Sequence, residues 1–199
     1  MLKKIFLSVF IMFIFTSYVF AGPFGLEMGM NLDDITKACG GIRPERLEND
    51  DRYLVSPTKS HPDFEYYLVW VDDTKGLYCI RAISAEINTS VYGTELKSFF
   101  YEMTERLSKT YGEPKIFDEV KKDALFKSDE WWMMALSDGS RILESVWEKE
   151  SRTVKMSKDL DYVNLYADTT KYSHDKGYLG LEYGFINREE VKKSQDDVF

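Results

Sequence analysis

Histidine and cysteine are scarce in this chain, with two of each: His61, His174, Cys39 and Cys79. That scarcity removes most metal chemistry, because a zinc site draws on such ligands at short, regular spacing. Neither histidine has a second ligand beside it, and Ser60-His61-Pro62-Asp63 reads as a turn. A P-loop, a Gly-x-Gly-x-x-Gly turn and a Gly-x-Ser-x-Gly elbow are all missing, so phosphate cradling and serine hydrolysis have no signature. The acidic stretches Asp72-Asp73-Thr74-Lys75-Gly76 and Asp159-Leu160-Asp161 do not match a calcium loop. No cofactor, no metal and no catalytic residue are expected. Positive charge is also short: 26 Lys and Arg stand against 34 Asp and Glu, a net of −8. Nucleic acid is therefore not an expected partner, since phosphate binding needs a basic surface that releases counterions.

What is present is an ordinary globular composition, 44% hydrophobic and 30% charged over 199 residues. The N-terminus is written differently. Lys3 and Lys4 precede an apolar run over residues 5–20, followed by Val19-Phe20-Ala21 and then Gly22-Pro23. A positive start, an apolar middle and a small residue at the cut make a secretory signal peptide over residues 1–21, cleaved after Ala21. The run falls short of the roughly 20 apolar residues of a membrane span, so no stable membrane insertion is expected after cleavage. The address is periplasmic or secreted. No cysteine follows the run at the position a lipoprotein needs. In an oxidising compartment an even cysteine count predicts a Cys39–Cys79 disulfide, with two buried thiols as the other reading. Closing a loop of about 40 residues would stabilise by roughly 4 kcal/mol.

Local signals set out the elements. Asn31 is a good N-cap for a short helix with Leu32, Ile35 and Ala38 on one face, Asp33 and Asp34 in its first turn, and Gly40 behind it. A longer helix starts near Thr94, carries Leu96, Phe99, Phe100, Met103 and Leu107 as one apolar stripe, and stops at Gly112-Glu113-Pro114. After each helix an aromatic hairpin is predicted. The first is Tyr66-Tyr67-Leu68-Val69-Trp70-Val71, a turn at Asp72 to Gly76, and Leu77-Tyr78-Cys79-Ile80. The second is Trp131-Trp132-Met133-Met134-Ala135-Leu136, an Asp138-Gly139 turn, and a strand from Arg141 to Trp147. Further strands are expected over residues 153–156, 162–167 and 178–185, and Asn187 with Glu190 suggests a capping box for a last helix. A shift of 65 residues lays Tyr66-Tyr67 on Trp131-Trp132. The expected fold is α+β, an antiparallel sheet with helices packed on one face and a tandem helix–hairpin repeat. It forms a single domain over residues 22–193 from two similar units of about 24–90 and 91–186, with a flexible tail at 194–199.

The segment Phe24-Gly25-Leu26-Glu27-Met28-Gly29-Met30-Asn31-Leu32-Asp33-Asp34-Ile35, closing at Cys39-Gly40, resembles the Gly-Met-Thr/Ser-x-x-x-Val…Leu-Gly opening of a group of bacterial exported proteins. That group comprises the small outer-membrane assembly lipoproteins and the β-lactamase-inhibitor-protein-like proteins. The resemblance implies an antiparallel sheet with helices on one face, often as a tandem repeat, used to bind proteins. It covers roughly residues 24 to 40 and is architectural beyond them.

Strand alternation then names a face. The second hairpin would turn Trp131, Met133 and Glu144 to one side, with Trp132, Met134, Leu136, Leu143 and Trp147 on the other. By the repeat, Tyr66, Leu68 and Trp70 extend the first, wetter side. Aromatics among polar neighbours mark a binding surface, because Tyr and Trp bury large areas with little rotamer loss. The candidate binding residues are therefore Tyr66, Trp70, Trp131, Met133 and Glu144. The expected function is a non-enzymatic protein-binding module of the bacterial envelope, an inhibitor or an assembly accessory, facing a basic protein partner. The alternative is an envelope hydrolase or small-ligand carrier with a cleft between the units, where His61 or His174 would face carboxylates.

Overall fold

The computed structural model describes residues 22–47, 51–170 and 173–196. The predicted signal peptide, residues 1–21, lies outside them. Helix α1 (Leu32–Ala38) is capped as expected: Asn31 Oδ1 accepts from the backbone N–H groups of Asp33 and Asp34, each at 3.0 Å. Strands β1 (Glu45–Arg46) and β2 (Arg52–Val55) follow, then the first predicted hairpin as β3 (Phe64–Asp72) and β4 (Gly76–Ser84). Its turn is held by Asp72, whose Oδ1 accepts from Thr74 N at 2.9 Å and Lys75 N at 2.8 Å. After the two-residue β5 (Ile87–Asn88) comes α2 (Thr94–Tyr111), with the bounds that the sequence predicts.

The second predicted hairpin does not form. Trp131 closes a short 3-10 turn and α3 (Trp132–Ser137) takes the place of its first strand. Trp-Met-Met-Ala-Leu has no β-branched residue, and Met, Ala and Leu are good helix formers. Positions 132, 133 and 136 then share one buried helical face. The Asp138-Gly139 pair is equally a helix stop, and Gly139 is left-handed at φ 73° behind α3. The true neighbours of β7 (Arg141–Glu148) are β6 (Lys115–Val120) and β8 (Leu160–Thr169). The 65-residue shift therefore lays a strand on a helical turn. Residues 153–156 contribute one isolated bridge, Val154 to Gly112, in place of the expected strand. The chain closes with β9 (Lys176–Phe185) and α4 (Arg188–Asp196), so helix continues through the first residues of the expected tail.

Among the described residues nine strands form one sheet, ordered β1-β2-β3-β4-β9-β8-β7-β6 with β5 on β9, and every pairing is antiparallel. The fold is α+β. One face is a continuous core whose central row, Val69–Ile80–Tyr183–Val163–Trp147, runs over five strands. Ile35 of α1, Leu96, Phe100 and Met103 of α2, and Trp132, Met133 and Leu136 of α3 pack on it. Helix α4 lies on the opposite face, where its Val191 packs with Trp70, Tyr78 and Cys79. No capping box forms there. Asn187 Nδ2 instead donates to the carbonyls of Lys75 (3.1 Å) and Leu77 (3.0 Å), while Glu190 pairs with Lys75 at 2.5 Å. The two residues tie α4 to the β3–β4 turn.

This layering corrects the predicted disulfide. Cys39 packs in the helix-side core and Cys79 sits across the sheet beneath α4, both as free, buried thiols. A bond needs Cα atoms within about 7 Å, and the sheet stands between these two. Burial pushes the thiols of Cys39 and Cys79 up from their ordinary range, away from the thiolate form. The expected result is two thiols that titrate on denaturation without reductant and resist labelling in the folded protein. Val191→Asp should open the cover over Cys79 and make it labelled first, with Cys39 still protected, read by peptide mass after alkylation.

Candidate functional site

The face away from α1, α2 and α3 is built from three cross-strand rows. The first is Tyr66–Ile83–Gly180–Tyr166–Glu144–Phe117 and the second Leu68–Arg81–Glu182–Asn164–Val146–Lys115. The third is Trp70–Cys79–Gly184–Tyr162–Glu148. Apart from the buried Cys79, Gly180 and Gly184, the members of these rows are half-buried or exposed, as a sheet face with only α4 over one corner must be.

Two glycines shape its centre. Tyr166 and Tyr162 lie across β9, and a Cβ at Gly180 would come within 2.2 Å of Tyr166 Cζ, one at Gly184 within 2.0 Å of Tyr162 Cε1. The alternation Gly180-x-Glu182-x-Gly184 thus lays two phenol rings flat on a neighbouring strand with one carboxylate between them. Arg81 answers that carboxylate: its Nε and Nη2 donate to Glu182 Oε2 at 2.9 and 2.5 Å. Its guanidinium also lies 5.0 Å from the Trp70 ring and 5.8 Å from the Tyr166 ring, within cation–π reach of both. Tyr162 donates to Glu182 Oε1, Tyr178 to Asp168 Oδ2 at 3.0 Å, and Asn164 Nδ2 to Glu144 Oε2 at 3.2 Å. Arg188 of α4 caps the Tyr162 ring at 5.2 Å. The result is a braced, amphipathic surface whose aromatic rings are already held in place.

Burial raises the tyrosine hydroxyls of this face. Tyr166 is pushed up to about 12 by burial, against the pull of Arg81, and Tyr162 and Tyr178 are raised further by burial and by Glu182 and Asp168. A phenol whose folded pKa exceeds its free value of about 10 favours folding fully below that free value, and the contribution disappears as pH rises through the folded value. Stability should therefore hold to roughly pH 10 and fall steeply toward about pH 12. Phenolate absorbance should rise with the unfolding signal for this group of tyrosines. Ionisation of all tyrosines near pH 10 with the fold intact would contradict the burial of these rings.

Of the predicted binding residues, Tyr66, Trp70 and Glu144 share this face, Tyr66 at 54% exposure. Met133 is fully buried in the helix-side core, and Trp131 is 47% exposed on the loop leading into α3, away from the face. Both corrections follow from the helix that replaces the expected strand. The sequence reading missed Arg81, Glu182, Tyr162, Tyr166 and Tyr178. Their signal was the period-2 match of Tyr162-x-Asn164-x-Tyr166 to Gly180-x-Glu182-x-Gly184, legible only if β8 and β9 are known to pair.

A cleft of about 960 Å³ opens between the N-terminal segment, the end of α2 and residues 155–160, lined in part by Met28, Tyr111, Met156 and Lys155. Neither histidine lines it. His61 Nδ1 accepts from Asp63 N at 3.3 Å in its turn, and Asp63 pairs with Arg106 at 2.7 Å. Among the described residues no group of three or more His, Cys, Asp or Glu could hold a metal ion. No protein-family model, curated protein or solved structure matches the chain.

Proposed function

We propose that this chain is an exported, non-enzymatic protein-binding module of the bacterial envelope that docks its partner on the aromatic sheet face. The observation that carries the reading is the triple row of half-exposed aromatic, aliphatic and charged side chains spread over β3, β4, β9, β8 and β7, over which α4 is the covering element among the described residues. Rigid Trp and Tyr rings ringed by paired charges are what binding hot spots consist of. Their rotamers are fixed before the partner arrives, so little ordering entropy is lost on docking. Carboxylates at Glu144 and Asp168, each hydrogen-bonded to an uncharged side chain, lie on the same face and favour a basic partner. Export rests on the N-terminal Lys-Lys, the apolar run and Ala21. Membership of the assembly-lipoprotein and inhibitor-like group, suggested by residues 24–40, belongs to the same proposal. A small-ligand carrier would use the cleft beside Met28 and Met156, which has apolar walls but no acid–base pair of histidine and carboxylate.

The test uses Tyr66→Ala with Leu68→Ala, two positions on the face that the core does not need. Affinity capture from envelope extract is run in parallel with the unmodified protein, and thermal unfolding of both is recorded. The reading expects a protein retained by the unmodified chain and reduced about tenfold or more by the variant at unchanged thermal midpoint. Identical capture by the two proteins would remove the sheet face from the function.

A further inference from the structure

The connection from β6 to α3, residues 121–131, carries the most exposed large apolar side chain of the described residues, Leu125 at 88% exposure. Lys121 N donates to Ser140 O at 2.8 Å, Ala124 N to Lys121 O at 3.1 Å, and Lys127 Nζ back to Lys122 O at 2.6 Å. These bonds close residues 121–127 on themselves and hold Leu125 out into water. Behind it the Phe126 and Trp131 rings pack at 5.6 Å, with Trp131 the most exposed indole. Met133 N donates to Val91 O at 3.1 Å and brings the exposed Val91 and Tyr92 against the start of α3.

Charge around the tip runs against the rest of the molecule. Lys121, Lys122 and Lys127 stand exposed around Leu125 with one carboxylate, Asp123, among them, in a chain of net −8. Asp129 and Glu130 lie at the base of the loop, in the 3-10 turn, where Glu130 Oε1 accepts from Ser128 Oγ at 3.3 Å.

We infer that this loop is a docking finger for a lipid bilayer carrying anionic headgroups. The residue types match the layers of an interface. Leu and Phe enter the acyl boundary, Trp and Tyr rest at headgroup depth, and lysines reach the phosphates while their stems lie along apolar surface. A projecting apolar tip suits a bilayer, which closes around a point. A protein partner would need a matched surface of about 800 Å² on each side. No helix of the described residues is long and apolar enough to cross a membrane; the association we infer is interfacial and reversible. It leaves the aromatic sheet face free and does not depend on that face's role.

The experiment titrates the exported protein, its N-terminus established by mass spectrometry, with phosphatidylcholine vesicles with and without phosphatidylglycerol. Acyl-chain-brominated phosphatidylcholine is included as a quencher, so the reading is taken at Trp131 whatever happens to residues 1–21. With phosphatidylglycerol present, indole emission should shift to the blue and be quenched. Trp131→Phe should remove the quenched component, and Leu125→Asp should weaken the quenching titration at least tenfold. Raised salt should weaken it too, whereas Tyr66→Ala should leave it unchanged. Emission indifferent to vesicles, equal quenching in Leu125→Asp, or equal quenching on pure phosphatidylcholine would each overturn the inference. A protein docking on this loop would give the first of these results.

Discussion

Trp132→Ala should destabilise the protein by about 3–5 kcal/mol, while Trp131→Ala should stay within about 0.5 kcal/mol. The two indoles are neighbours in the chain and opposites in the fold. Trp132 is almost fully buried, lies against Gly93 at the left-handed start of α2, and has Lys97 Nζ 4.7 Å and the Arg141 guanidinium 5.7 Å from its ring. A Cβ at Gly93 would meet the Trp132 ring at 2.2 Å, so removing the ring empties a site with little slack to collapse. Domain stability of about 5–15 kcal/mol would lose a large share. Denaturant midpoints of the two variants check the contrast, and equal midpoints would mean that α3 does not sit on the core.

Arg81→Ala is the second large effect, expected at about 2–3 kcal/mol. The salt bridge is mostly withdrawn from water, with 30% of the Arg81 and 13% of the Glu182 side chain exposed. Taking away the guanidinium strands a carboxylate between Tyr162 and the sheet, and an unpaired buried charge costs more than the intact pair contributes. The double variant Arg81→Leu with Glu182→Leu should recover most of that loss, to within about 1 kcal/mol of the unmodified protein, because two aliphatic groups need no charge partner. It should nonetheless lose partner capture, since the charge pair and the cation–π contacts of Arg81 with Trp70 and Tyr166 are gone. Unfolding curves and capture measured together separate the two effects. A double variant as unstable as the single one would show that packing, and not the stranded charge, sets the cost.

The elements whose signals are local were legible in advance. Asn31 caps α1, the stripe from Leu96 to Leu107 makes α2, and the Asp72 turn joins β3 to β4, as the residue patterns require. Residues 131–139 carry two signals, each of which serves two structures. A six-residue apolar run fits a buried strand or a short buried helix, and Asp-Gly fits a hairpin or a helix stop. The choice fell to α3 because β7 finds its partners in β6 and β8, leaving residues 132–137 to pack on β7 and β8 beside the start of α2. The cysteines were misjudged for a related reason: an even count speaks of compartment, not of which side of a sheet each thiol takes.

By itself the amino-acid order determined the class of the fold, both long helix bounds, the first hairpin and the alternation that turns Tyr66 and Trp70 to one side. These depend on contacts within a few residues, where dihedral preference and period suffice. Only the tertiary structure decided that β9 inserts between β4 and β8 and so brings Arg81 to Glu182, 101 positions apart, and lays Tyr162 and Tyr166 on glycines. Pairing between distant strands is selected by the summed burial of the whole core, and no single segment carries that sum.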